Sequence, residues 1–121
     1  MTATTTATSK TNLISSSRVE GTDVYGVDGA HIGHIDHLMI DKPSGNVAYA
    51  VMGFGGFLGL GEDHHPIPWQ KLQYDTQKDG FVTDITEADV KGAPERPDTW
   101  WSDRNWEERT HQYYGVPHYW I

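Results

Sequence analysis

The stretch that decides the fold runs Val47-Ala48-Tyr49-Ala50-Val51-Met52-Gly53-Phe54-Gly55-Gly56-Phe57-Leu58-Gly59-Leu60-Gly61, followed by Pro66-Ile67-Pro68-Trp69. Val47, Tyr49 and Val51 alternate with Ala48, Ala50 and Met52, which is the two-residue period of a strand. Five glycines in residues 47–61 then break the pattern into a loop. The prolines at 66 and 68 fit an edge strand or a strand start, because proline cannot donate to a sheet ladder. The glycine loop is no phosphate cradle: no Gly-Lys-Ser/Thr follows, and its spacing misses G-x-G-x-x-G.

Outward from this stretch, residues 18–85 read as short strands separated by turns. Asp23-Val24-Tyr25-Gly26 is a first strand, and Asp28-Gly29 marks the turn after it. His31 to Asp41 is a second, longer strand. Its apolar residues change parity between Ile35 and Leu38, which predicts a β-bulge near Asp36-His37. Ile67-Pro68-Trp69 and Leu72-Gln73-Tyr74 form the next strand pair, and Phe81 to Ile85 a further strand. Thr86-Glu87-Ala88-Asp89 opens a short helix as a capping box. Ile35, Val51, Trp69 and Leu72 are the expected core. Short strands at this spacing favour a barrel or sandwich.

The two ends differ from this middle. Ten of residues 1–17 are Ser or Thr, so that segment reads as a flexible leader, with Leu13 and Ile14 docking where the core begins. Residues 94–121 hold four of the five tryptophans and three of the six tyrosines. Such aromatic density argues for an ordered extension. Asp103 caps a helix from Arg104 to Tyr114, with Trp106, Thr110 and Tyr113 on one face and Gly115 as its stop. The expected division is a leader over 1–17, a barrel-like domain over 18–93 and an aromatic extension over 94–121 that packs on the barrel or on a second subunit.

Charge and composition exclude several functions. Nine basic and 17 acidic residues leave a net charge of −8, with no basic cluster. That disfavours binding to nucleic acid and to anionic membranes. No cysteine means no disulfide, no thiolate nucleophile and no cysteine zinc site, and favours the cytoplasm. No membrane insertion is expected, although a membrane-associated protein complex remains open as a partner. No G-x-S-x-G elbow or H-E-x-x-H helix is present, and Ser44 and Ser102 lie in turn and cap contexts, so no enzyme activity and no cofactor are expected.

Three of these stretches together resemble the PRC-barrel domain family. They are Gly21-Thr22-Asp23-Val24-Tyr25 through Asp28-Gly29 to Gly33-His34-Ile35; Ala50 to Gly61; and Pro68-Trp69-Gln70-Lys71-Leu72-Gln73-Tyr74-Asp75. The ending from Trp101-Ser102-Asp103-Arg104 to Tyr113-Tyr114-Gly115 resembles the tails of free-standing members. The resemblance implies a mainly β fold: a small barrel of about six strands with a short helix. It also implies docking onto other macromolecules.

The expected function is a non-catalytic interaction module that docks onto a protein partner or self-assembles as a homo-oligomer. Phe54, Phe57, Leu58, Trp100, Trp101, Trp106, Tyr113 and Trp120 are the candidate contacts, since aromatics anchor interfaces. Each also has a reading as core, and the extension as a wrap over its own sheet edges. The alternative function is a small-ligand or metal-binding protein using His64 and His65. Neighbouring histidines diverge on an extended chain, and the trio His31, His34 and His37 converges only if the bulge exists.

Overall fold

The computed structural model describes residues 12–54 and 63–120. A helical turn, α1 (Ser16–Val19), precedes strands β1 (Asp23–Tyr25), β2 (His31–Ile40), β3 (Val47–Phe54) and β4 (Asp63–Pro68). A 3-10 turn over Trp69–Lys71 leads to β5 (Gln73–Asp75) and β6 (Gly80–Val82). Then come α2 (Glu87–Lys91), a second 3-10 turn over Trp100–Ser102 and α3 (Arg104–Tyr114).

The strands form one six-stranded sheet in the order β4-β3-β2-β1-β6-β5. All neighbours are antiparallel except β1 and β6, which pair in parallel through Val24↔Phe81 and Tyr25↔Val82. The protein is therefore mainly β, as read from the sequence. The hydrogen-bonded ladder does not close on itself: β4 and β5 are its edges. The segments 67–69 and 72–74 are thus not partners, since β4 pairs with β3 and β5 with β6. The strand before Pro66 also begins earlier than expected, because Asp63, His64 and His65 continue the β3 ladder opposite Phe54, Gly53 and Met52.

The bulge stands where the parity change asks for it. Ile35 faces Met52 and His37 faces Val51, leaving Asp36 without an opposite residue. One extra residue restores the apolar side chains to the inner face. Gly33 answers a different need. A Cβ there would meet the Gly53 carbonyl oxygen at 2.0 Å, so only glycine lets β2 and β3 approach at that point.

The inner face of the sheet holds the main core: Val24, Ile35, Ala50, Met52, Phe54, Ile67, Leu72 and Phe81, joined by Ile85 and by Val90 of α2. Trp69 packs against this core with its ring 5.4 Å from Phe81. Val51, expected as core, is buried too, but on the outer face beside Tyr49. The capping box of α2 is present: Thr86 Oγ1 accepts from Asp89 N, and Asp89 Oδ2 accepts from Thr86 N. Leu13 and Ile14, expected at the start of the core, are 86% and 46% exposed and lie outside it. Among the described residues no helix is long and apolar enough to cross a membrane.

Candidate functional site

The C-terminal extension lies over the outer face of β3. α3 begins where Asp103 accepts from Trp106 N and ends where Gly115 turns left-handed at φ +72°. Its stripe of Trp106, Glu107, Thr110 and His111 is buried. Tyr49 is the hub beneath it. Trp100, Trp106, His111 and Tyr119 all set their rings 5.5–6.0 Å from the Tyr49 ring, mostly edge to face. Each such ring pair adds about 0.5–1.5 kcal/mol beyond the area it buries.

A polar network sits inside this aromatic shell. The Tyr49 hydroxyl lies 2.8 Å from Glu107 Oε1 and 2.8 Å from His111 Nε2. Tyr119 donates to the same Glu107 oxygen at 2.5 Å. His111 Nδ1 stands 3.0 Å from the Pro117 carbonyl oxygen, which can only accept, so Nδ1 carries the hydrogen. In the neutral ring Nε2 is then an acceptor, and the one hydrogen of Tyr49 is shared between imidazole and carboxylate. Arg104 closes the rim, with Nη1 3.5 Å from Glu107 Oε2 and its guanidinium 3.9 Å from the centre of the Trp120 ring.

Burial pushes the His111 imidazole below its usual value, against the Pro117 carbonyl and the Glu107 charge, which favour the proton. His118 and Arg104 act with burial. Burial, then the hydrogen bond to Glu107, pushes Tyr119 up to about 12 and Tyr49 higher still. The tyrosines therefore stay neutral donors at any physiological pH. The arrangement can fasten the extension to β3 and orient it.

The sequence-derived contact residues fall into three groups. Phe54, Trp100 and Trp106 are buried within the chain. Trp101 and Tyr113 are 55% and 43% exposed, and Tyr113 donates its hydroxyl to the Asp89 carbonyl at 2.7 Å. Trp120 is half-buried, stacked on His118 at 4.2 Å. Phe57 and Leu58 lie outside the described residues. Of the weak metal candidates, His64 turns toward Asp36 on β2, while the His65 ring stands 6.1 Å from that of Phe54. Among the described residues no group of three or more His, Cys, Asp or Glu side chains could hold a metal ion.

Sequence reasoning missed Tyr49, Glu107, His111 and Tyr119. The available signal was the helical wheel: Glu107 and His111, four apart, share a stripe with Trp106 and Thr110. Thr110 Oγ1 in that stripe is buried without a hydrogen-bond partner.

The model of the PRC-barrel domain family matches residues 12–90, well over half of the chain. The chain belongs to the PRC-barrel family. Among solved structures it is similar to RimM of Pseudomonas aeruginosa, named as a 16S ribosomal RNA processing protein, at 21% identity and a TM-score of 0.44. That alignment covers 66% of this chain and 48% of the other, so this chain spans about half the length of that structure. No curated protein matches the chain. The family match ends within α2, so the polar network joins a PRC-barrel strand to a helix beyond the matched span.

Proposed function

We propose that this PRC-barrel protein is a non-catalytic interaction module of the cytoplasm, which docks onto a protein partner or onto a second copy of itself. The observation that carries this reading is Trp101. It is 55% exposed, yet its ring is set edge to face on Trp100 at 5.8 Å, and Trp100 is itself buried. A tryptophan held rigid and left facing solvent loses little entropy on docking and offers a large contact area. The net charge of −8 directs the module toward protein surfaces and away from nucleic acid and anionic lipid.

The test is an affinity capture from host lysate and detergent extract, with light scattering on the purified protein. Wild type is compared with Trp101→Ser and Phe57→Asp. A stoichiometric prey, or a multimeric mass, that is lost in Trp101→Ser supports the reading. Unchanged prey and unchanged mass in both variants, with circular dichroism intact, would overturn it.

A further inference from the structure

β4 is an edge strand, partnered in the sheet only by β3. Beside its residues His65 and Pro66, α2, the linker after it and α3 bound a cavity of about 380 Å³. Two hydrogen bonds hold the walls in place. Tyr113 donates from α3 to the Asp89 carbonyl of α2 at 2.7 Å, and Trp106 Nε1 donates to the Pro94 carbonyl of the linker at 3.4 Å. Pro66, Val90, Trp106 and Thr110 form the buried wall, and Lys91, Glu95 and Arg96 are exposed at the rim. At about 30 Å³ for each water-sized group the cavity has room for about a dozen, which suits a molecule of one ring. Thr110 distinguishes it from a gap in packing. This residue is 1% exposed, and its Oγ1 has no hydrogen-bond partner among the described residues. A helical threonine can return its hydroxyl to the carbonyl four residues back, here that of Trp106, and this one does not. A buried hydroxyl left idle costs stability.

We infer that the cavity between β4, α2 and α3 binds a small aromatic carboxylic acid that carries a hydroxyl at its far end. The ring lies among Pro66, Val90, Trp106 and Tyr114, which supply an apolar and aromatic wall. The ligand's hydroxyl pairs with Thr110 Oγ1. That atom is closed to solvent, and a turn of χ1 into the second of the two wells that helical threonine uses presents it to the ligand. The carboxylate stays at the rim with Lys91 and Arg96, where its charge keeps its water. Two cations there stand against one carboxylate, Glu95, on a chain whose net charge is −8. Among the described residues neither cation is in an ion pair. Trp101 does not line the cavity, so this site stands or falls separately from docking through Trp101.

The test is isothermal titration of the full chain with para-hydroxyphenylacetate, beside phenylacetate and para-hydroxyphenylethanol, which each lack one of its polar groups. One saturable site is expected for the first. Phenylacetate should bind about 2–10-fold more weakly, the scale of one hydrogen bond, and the alcohol about 2–5-fold more weakly, the scale of an exposed ion pair. Thr110→Val should weaken the hydroxy acid by the same factor of about 2–10 and leave phenylacetate unchanged. The unliganded variant should be at least as stable as wild type, because a methyl group replaces an idle hydroxyl. In Lys91→Ala/Arg96→Ala the preference for acid over alcohol should disappear. A measurement on wild type guards against misfolded variants: the methyl NMR signals of Val90 and Thr110 should shift together as the hydroxy acid is added. No saturable binding of para-hydroxyphenylacetate, an affinity unchanged in Thr110→Val, a destabilised Thr110→Val, or shifts confined to residues away from the cavity would overturn the site.

Discussion

The two faces of β3 are held by different physics. On the inner face Ala50, Met52 and Phe54 meet Val24, Ile35 and Ile67, with every side chain apolar and nearly every one fully buried. On the outer face Tyr49 and Val51 meet Trp100 and Trp106, but Glu107, Thr110 and His111 are buried among them. The inner face depends on area and packing, which many apolar side chains can supply. The outer face depends on matching donors to acceptors, which only one placement of α3 can supply. An apolar core makes the sheet stable; the polar network fixes where the extension lies on it.

Three changes sharpen that contrast. The largest effect belongs to the inner face: Ile35→Ala or Ile67→Ala leaves a cavity and should cost about 2–5 kcal/mol in chemical denaturation. A cost no larger than that of an exposed-site change would mean the inner face is not the main core. Tyr49→Phe should cost about 1–3 kcal/mol, because Glu107 and His111 lose a partner while buried. Its near-ultraviolet dichroism should change more than its far-ultraviolet spectrum, since the sheet persists while the aromatic shell loosens. A neutral Tyr49→Phe would break the comparison outright.

The smallest effect is the pH response. His111 takes up its proton at lower pH in the folded chain than its usual value of 6.5, so below that value the unfolded chain binds more protons. The stability tied to His111 is therefore complete above the usual value and is lost as pH falls through the folded one. Denaturation midpoints should decline on acidification below the usual histidine value of 6.5, and His111→Gln should flatten that decline. A midpoint that rises on acidification would reverse the sign.

Much of the barrel was legible because local signals decide it. The parity change between Ile35 and Leu38 located the bulge, Thr86 and Asp89 the box on α2, and Asp103 and Gly115 the ends of α3. The aromatic density after Pro94 announced an ordered extension. Its landing place was not legible. Val47 to Phe54 reads as apolar or small at both parities, which leaves no exposed face to orient it. By sequence position Glu107 is an ordinary first-turn carboxylate, favourable to the helix dipole. Its burial depends on Tyr49, 58 residues away, and no local pattern encodes that pairing.

The parallel pairing of β1 with β6 bears on how the chain folds. The strands β2, β3 and β4 follow one another as neighbours in both sequence and sheet, so their contacts close short loops. β1 and β6 stand at opposite ends of the strand sequence, and joining them closes almost the entire barrel segment at once. Loop-closure entropy weighs against that step until the meander between them has condensed. Folding should therefore run outward from β3, with the Val24–Phe81 register formed last. In pulsed hydrogen exchange, the amides of β3 would gain protection before those of β6.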